Sequence, residues 1–305
     1  MTWINENSNY TYLQRISMFC LRKGVVPKHI AIIMDGNRRF ARKNSIKQIE
    51  GHKFGFEKLT ETLTWCRDLN IHEVSVFAFS IQNFKRESEE VTYLMDIIRE
   101  KFQLLIDEMN LLDKYDVCVR IIGNLSLLPT DIQQIAKNII KSTASHKKFF
   151  LNICMAYTSH DEIRHSLNHI KWGINNNIIQ EEDITEDLIN RCMYMRNSGK
   201  VDLMIRTSGE GRLSDFLVWQ SDRACVRFFS TYWPEFSIWN LFSAVLKYQT
   251  YYLLNERPNQ NDKSAGDGAE CDAGSENPRV ASMLVELENK YNDWLYNDKE
   301  GFFIK

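Results

Sequence analysis

Short apolar runs alternate with longer amphipathic segments along most of this 305-residue chain. Short, largely apolar runs, of which 30–34 and 74–79 are the clearest, are typical of strands buried on both faces of a parallel sheet. Segments in which apolar residues recur at helical spacing, such as 51–70 and 88–112, indicate helices packed on that sheet. The alternation predicts an α/β fold, a single domain with a central, mostly parallel six-stranded sheet flanked by helices.

Composition shifts and helical spacing divide the chain into four segments. In the first, Leu13, Ile16 and Cys20 recur at helical spacing among basic residues, which indicates either an interfacial helix on a membrane surface or a terminal helix packed on the domain. The third almost lacks large apolar residues, as disordered linkers do. The segments are an N-terminal amphipathic segment (1–28), the main domain (29–256), a disordered linker (257–278) and a C-terminal helix (279–305), and the predicted strands are 30–34, 74–79, 117–122, 149–156, 201–205 and 224–229.

The charge balance and the cysteines exclude several classes of protein. The chain has 38 basic and 40 acidic residues, so no global excess of positive charge points to a nucleic-acid partner. The seven cysteines are scattered and form no Cys-x-x-Cys pair, which argues against a disulfide framework and a zinc site. Since no signal peptide is visible, we expect a reducing, cytosol-facing protein. The apolar runs are too short to span a bilayer, so any membrane contact is expected to be peripheral.

A carboxylate and two guanidiniums directly follow the first predicted strand. The chain continues there as Asp35-Gly36-Asn37-Arg38-Arg39, and in open α/β sheets ligands bind beyond the carboxyl ends of the strands. A lone carboxylate among cations suits a diphosphate with a divalent metal, because the carboxylate binds the hard cation and the arginines bind phosphate oxygens. Taken alone, a tight Asp-Gly turn with solvated arginines explains the same residues equally well.

Two further predicted strands end in cationic loops. Arg86 follows the second strand, and Arg206 and Arg212 follow the fifth. Parallel strands place these loops on one rim of the sheet, where clustered arginines repel one another unless a polyanion binds. Neither a P-loop nor a dinucleotide-binding glycine fingerprint is present in the sequence, which argues against those classes of enzyme. Together with the stripe of 88–112, which forms either core or the wall of an apolar channel, the cluster predicts chemistry on a lipid-like diphosphate.

Four stretches of the sequence resemble motifs of the cis-prenyltransferase family, the group that includes undecaprenyl diphosphate synthase. They are 29–39, 51–55, 79–86 and 205–216, and the similarity extends in order from about residue 3 to residue 254. The resemblance implies an apolar tunnel and a Mg²⁺-dependent enzyme that condenses isopentenyl diphosphate repeatedly onto farnesyl diphosphate, forming cis double bonds. The implied product is a long-chain dehydrodolichyl (polyprenyl) diphosphate for dolichol synthesis and protein glycosylation.

The resemblance also implies a role for each matching residue. Asp35 would hold Mg²⁺ on the allylic diphosphate, and His52 and Asn83 would lie beside the reacting groups; these three are the implied catalytic residues. The implied substrate-binding residues are Gly36, Asn37 and Arg38 on the allylic diphosphate, and Arg39, Arg86, Arg206, Arg212 and Ser214 on isopentenyl diphosphate, together with Phe40, His52, Ser80 and Asn83.

The chain departs from the family pattern in three places. Gln82 stands where relatives usually have glutamate, and Cys225 corresponds to a glutamate that assists the metal in bacterial relatives. The Arg-x-Gly motif with which homodimeric members complete a partner's active site does not follow Leu254. The resemblance therefore implies a heteromer with a second subunit similar to the Nogo-B receptor, peripheral on the cytosolic face of the endoplasmic reticulum membrane.

Two other classes of function fit some of the same residues. One is a non-catalytic scaffold subunit that binds polyprenyl diphosphate; the retention of a charged, self-repelling cluster argues against it. The other is a phosphohydrolase acting on lipid diphosphates, which requires a positioned water or nucleophile. No carboxylate pair that could position a water, and no cysteine suited to act as a nucleophile, stands out in the sequence.

Overall fold

A six-stranded sheet forms the centre of the larger part of the chain. The computed structural model describes residues 2–3, 9–255, 277–299 and 302–303. Each predicted strand is present, with its ends shifted by at most two residues. The strands are β1 (His29–Ile33), β2 (Glu73–Ser80), β3 (Val117–Ile122), β4 (Phe149–Tyr157), β5 (Leu203–Arg206) and β6 (Cys225–Phe228).

The helices follow the predicted segments, with two differences. The stripe of 88–112 is divided at Glu108 into two helices, and a short helix after β1 was not predicted. That helix has seven residues and a single buried position, Ala41, so it carries no apolar periodicity to detect. The helices are α1 (Tyr12–Leu21), α2 (Asn37–Lys43), α3 (Gln48–Asp68), α4 (Ser88–Asp107), α5 (Met109–Tyr115), α6 (Thr130–Thr143), α7 (Ser159–Asn175), α8 (Glu186–Arg191), α9 (Ile238–Asn255) and α10 (Pro278–Asn297).

The strand order explains why three loops meet. The sheet runs β3-β4-β2-β1-β5-β6, and every pair of neighbours is parallel. All five residues of β1 are buried, as expected for a central strand without a solvated face. The chain adds strands on one side of β1 and then on the other, so β1 marks a topological switch point, where open α/β sheets bind ligands. The predicted fold class is confirmed.

The chain contains two compact units. One comprises 1–159 and 199–253 and includes the sheet; the other comprises 160–198 and 254–305. The second has a core of its own, built from α7, α8 and α10 and including Leu188 and Met283. The predicted linker 257–278 lies outside the described residues except for its last two positions, and the predicted domain boundaries remain predictions.

Helix α1 exposes an apolar face. Met18 and Leu21 are buried, as in the prediction of a terminal helix packed on the domain. Four other large apolar side chains remain 41–81% exposed, as in the alternative of an interfacial helix, and they are Tyr12, Leu13, Ile16 and Phe19. Within the described part of the chain, no helix combines the length and apolar character needed to cross a membrane.

Candidate functional site

A cavity of about 740 Å³ lies at the carboxyl ends of β1, β2 and β5. Every predicted site residue except Phe40 lines it, so the structure brings together side chains from motifs far apart in sequence. Phe40 is half-buried instead and packs edge-on against Phe54, with ring centroids 5.8 Å apart. The residues that line the cavity are Asp35, Gly36, Asn37, Arg38, Arg39, His52, Ser80, Asn83, Arg86, Arg206, Arg212 and Ser214.

The backbone at Asp35 is fixed by the segments that follow β5 and β6. The Asp35 carbonyl accepts hydrogen bonds from the Thr207 hydroxyl at 2.6 Å and from the Trp233 backbone N–H at 3.0 Å. The next residue, Gly36, has φ +109°, and a Cβ there would lie 3.1 Å from the Cα of Tyr232. Both the backbone angle and the close approach require glycine, which explains the Asp-Gly pair at this turn.

The Asp35 carboxylate is held by two guanidiniums. Its Oδ2 atom lies 2.9 Å from Nη2 of Arg206 and 3.4 Å from Nη2 of Arg39. The Arg206 side chain is only 4% exposed, and its Nη1 atom donates to the Ser214 hydroxyl at 2.7 Å and to the Arg212 carbonyl. Arg206 therefore ties the carboxylate after β1 to the loop after β5, in the fork geometry that favours arginine over lysine.

Two carboxylates that the sequence analysis did not assign to the site hold most of the other arginines. Glu90 pairs with Arg86 and also approaches Arg38. Glu210, which lines the cavity, pairs with Arg39 and Arg212 and repeats this arrangement. The arginine cluster is therefore partly compensated within the chain, and the expectation that only a bound polyanion relieves its repulsion is wrong. Glu90 lies in the first turn of α4, whereas Arg86 precedes that helix in extended backbone, so the spacing of helical ion pairs does not predict their contact.

His52 lines the cavity, but the backbone N–H groups around it are not free to bind an anion. Helix α3 begins at Gln48, before the predicted start at residue 51, and the Gly51 N–H donates to the Lys47 carbonyl at 3.3 Å. The backbone N–H groups of 51–55 thus lie past the start of the helix, and any contact of this motif with a ligand comes from its side chains. Burial, reinforced by the charge of Arg86, lowers the pKa of His52 to about 4. His52 is therefore neutral near pH 7.

Asn83 faces the cavity as a hydrogen-bond donor. Its Oδ1 atom accepts the backbone N–H of Ser80 at 3.0 Å, and the Ser80 hydroxyl in turn accepts the N–H of Gln82 at 3.2 Å. Because a backbone N–H can only donate, this pair fixes which end of the amide is oxygen. The NH₂ group remains for a ligand, and an amide held this way is a donor and no base.

The far part of the cavity is apolar. Leu94, Ile97, Ile98 and Phe102 of α4 line it, so this side of the stripe forms a channel wall. Leu105, on the same helix, is fully buried and borders a second, apolar cavity of about 60 Å³. The apolar stripe of 88–112 therefore forms the wall of a channel at some of its residues and part of the core at others, so both interpretations hold.

Trp3 lies between the two cavities and borders both. Its indole Nε1 donates to the Lys101 carbonyl at 2.8 Å, and its backbone N–H donates to the Glu108 carboxylate at 2.7 Å. Its ring packs edge-on against Phe56, with ring centroids 4.8 Å apart. This aromatic residue therefore forms part of the wall of both cavities, a placement that no periodic pattern in the sequence could indicate.

The oxygen atoms around Asp35 fit a metal ion that is bound jointly by this carboxylate and by the phosphates of a substrate. The described residues contain no group of three or more His, Cys, Asp or Glu side chains that could hold a metal ion. Asp35 Oδ1 accepts no hydrogen bond from those residues, and Mg²⁺ is commonly bound by one or two carboxylates plus substrate phosphates. Gln82 lines the cavity, whereas Cys225 is buried in β6 and does not.

Sequence comparisons place the chain among known prenyl diphosphate synthases. The family model described as "Putative undecaprenyl diphosphate synthase" matches residues 33–252. The human dehydrodolichyl diphosphate synthase complex subunit DHDDS is 46% identical over 257 residues, which are 84% of this chain and 77% of the human protein. The corresponding subunit of Schizosaccharomyces pombe is 41% identical over 238 residues, covering 78% of this chain and 90% of that protein.

A more distant sequence and a solved structure agree with these relatives. A tritrans,polycis-undecaprenyl-diphosphate synthase of Methanocaldococcus jannaschii is 40% identical over 238 residues, 77% of this chain and 85% of the archaeal one. The crystal structure of lavandulyl diphosphate synthase from Lavandula x intermedia, in complex with dimethylallyl diphosphate, superposes with a TM-score of 0.70 at 27% identity, covering 73% of this chain and 95% of the other. With a matching family model, close relatives and a shared fold, the chain belongs to the cis-prenyltransferase family.

Proposed function

We propose that this chain is the catalytic prenyltransferase subunit that condenses isopentenyl diphosphate repeatedly onto farnesyl diphosphate. The observation that carries the proposal is the two-part cavity, which has arginines and the Asp35 carboxylate at the sheet rim and a set of apolar side chains along α4, namely Leu94, Ile97, Ile98 and Phe102. Such a cavity suits a substrate with a diphosphate head and a hydrocarbon tail. The similarity to dehydrodolichyl diphosphate synthase subunits supports a long-chain polyprenyl diphosphate for dolichol synthesis as the product.

The allylic diphosphate is assigned to the turn after β1. Asp35 would supply a carboxylate oxygen to Mg²⁺, while Gly36, Asn37 and Arg38 would hold the phosphate oxygens. When bound, the metal supplies positive charge that stabilises the departing diphosphate. The ion pair with Arg206 holds the Asp35 carboxylate in place. The position of the carboxylate is therefore set before the ligand binds, so binding requires little reorganisation.

The incoming isopentenyl diphosphate is assigned to the loops on either side. Its binding residues are Arg39, Arg86, Arg206, Arg212 and Ser214, all of which line the cavity. Holding two polyanions side by side turns a bimolecular step into an effectively unimolecular one. Asn83 and neutral His52 lie at the same rim, where they orient the reacting groups by hydrogen bonding without adding charge.

We also propose a partner and a location. The absence of an Arg-x-Gly motif after Leu254 in the sequence and the naming of the relatives as complex subunits support a heteromer with a Nogo-B-receptor-like subunit. The exposed apolar face of α1, with Arg15 and Lys23 nearby in sequence, supports peripheral contact with the cytosolic face of the endoplasmic reticulum membrane.

The test combines the full chain, with and without the partner subunit, with farnesyl diphosphate, labelled isopentenyl diphosphate and Mg²⁺. Long labelled chains are expected with the partner. No product points to a scaffold subunit, and released phosphate without elongation points to a phosphohydrolase. Asp35→Ala should abolish elongation because it removes the metal ligand, whereas Asp222→Ala, at an exposed carboxylate that does not line the cavity, serves as the control. Elongation by Asp35→Ala at the unmodified rate would refute the assignment.

A further inference from the structure

Glu90, in the first turn of α4, lies between two arginines from different loops. Its Oε1 atom is 2.7 Å from Nη1 of Arg86 and 3.5 Å from Nη1 of Arg38. Arg86 follows β2, whereas Arg38 belongs to α2, which follows β1. One carboxylate oxygen therefore links the two loops, as a phosphate oxygen shared between two guanidiniums would.

Glu210 repeats this arrangement on the other side of β1. Its Oε1 atom is 3.2 Å from Nη1 of Arg39, and its Oε2 atom is 2.5 Å from Nη1 of Arg212. Arg39 again belongs to α2, and Arg212 belongs to the loop that follows β5. The side chains of Glu90 and Glu210 are 22% and 27% exposed, so both carboxylates are partly shielded from water and attract guanidiniums more strongly than free surface groups do.

The two glutamates change the charge that an incoming diphosphate meets. Six arginines line the cavity. Five of them are paired with three carboxylates, which leaves two positive charges unbalanced within these pairs, and Arg42 adds a third. A diphosphate competes with the glutamates for these guanidiniums, because the carboxylates already contact one Nη1 atom of each of the four arginines. Where the diphosphate displaces a carboxylate, its affinity is the difference between two sets of ion pairs rather than the sum of its own.

We propose that Glu90 and Glu210 are exchangeable internal anions of the diphosphate site. They hold the arginines in a binding arrangement while the site is empty, yield to a diphosphate, and return when inorganic pyrophosphate leaves. The inference rests on the proposed function, because each repeated condensation produces one pyrophosphate that must depart before the next cycle. Because the two glutamates compete with pyrophosphate for the arginines, they shorten the time for which this product stays bound. The glutamates are therefore positioning residues that favour product release over tight binding.

The test measures the affinity of the full chain for inorganic pyrophosphate with Mg²⁺ by isothermal titration calorimetry. Glu90→Gln and Glu210→Gln keep the shape of the side chain and remove its charge. Each should lower the Kd for pyrophosphate by about 1.5-fold to fivefold, the range expected for a partly exposed ion pair. In turnover assays with the partner, the KM for isopentenyl diphosphate should fall, and kcat should fall with it as release slows.

Glu235→Gln is the matched control, because it removes an ion pair with Lys43 at 2.6 Å and does not line the cavity. It should leave both constants unchanged. Pyrophosphate affinity that is unchanged or weaker in both Glu90→Gln and Glu210→Gln, at an unchanged melting temperature, overturns the proposal, since it makes the glutamates purely structural or ligand-binding. The titration measures binding and requires no turnover. If the chain never elongates a prenyl diphosphate, the proposed function is refuted, but the titration still decides whether the glutamates compete with pyrophosphate.

Discussion

Gly51→Ala tests whether the packing of α3 against α2 positions the diphosphate site. A Cβ at Gly51 would lie 2.5 Å from the backbone oxygen of Asn37 and 3.0 Å from the Cβ of Ala41. Ordinary van der Waals contact begins near 3.4 Å, so α2 must move away by a large part of an ångström. The obstacle is backbone, which cannot rotate aside as a flexible side chain could.

Two opposing effects determine the stability of this variant. Replacing a helical glycine with alanine stabilises a helix by about 1 kcal/mol, whereas overpacking a tight contact costs about 1–3 kcal/mol. The net result should be a loss of roughly 0–2 kcal/mol. For a domain of this size each kcal/mol corresponds to a shift of about 2–4 °C in melting temperature, so the change in stability should be small.

The effect on activity should be larger, because α2 carries Asn37, Arg38 and Arg39. A misplacement of about 1 Å can lower a rate by as much as roughly 100-fold. We therefore expect a tenfold or greater loss in kcat/KM for elongation, measured with the partner present. Gly211→Ala is the control, since a Cβ there has no atom within 4 Å. A Gly51→Ala enzyme with normal kinetics and a raised melting temperature would refute the reasoning.

Two further predictions concern the apolar end and the histidine. Trp3→Ala should destabilise the fold by about 3–5 kcal/mol, as truncation of a buried tryptophan does, and should shift labelled products to longer chains by joining the two cavities. Truncation of the exposed Trp239 is the control and should have neither effect. An unchanged distribution of product lengths for Trp3→Ala would contradict this prediction. Because the pKa of His52 is lowered to about 4 in the folded chain, protonation favours unfolding, so stability should fall as pH drops from about 6.5 towards 4. In His52→Gln this loss should be smaller by up to about 3 kcal/mol in denaturant titrations, and identical pH profiles would contradict the assignment.

The strands and the arginine loops were predictable because each rests on local sequence. The buried run before Asp35 and the cations after it are adjacent in the chain, and parallel strands place such ends on one rim. Helix α2 was missed because it is too short for an apolar period to appear. The break at Glu108 was missed because apolar residues continue at helical spacing on both sides of it.

The ion pairs were less predictable than the residues that form them. Glu210 lies two residues before Arg212, yet its second partner is Arg39, which is brought near only by the pairing of β1 with β5. Asn83 was predicted to face the substrate, but its bond to the Ser80 N–H depends on the backbone turning into a short helix after β2. Contacts between loops require the sheet order, which local sequence does not contain.

The position of Trp3 separates the control of size from the control of reaction. The residue borders the apolar part of the cavity, yet in sequence it lies 32 positions before the carboxylate Asp35. We therefore expect replacement of Trp3 to change the space for a growing chain without altering any group assigned to phosphate. In this arrangement, polymer length and phosphate chemistry depend on different parts of the chain and can vary independently.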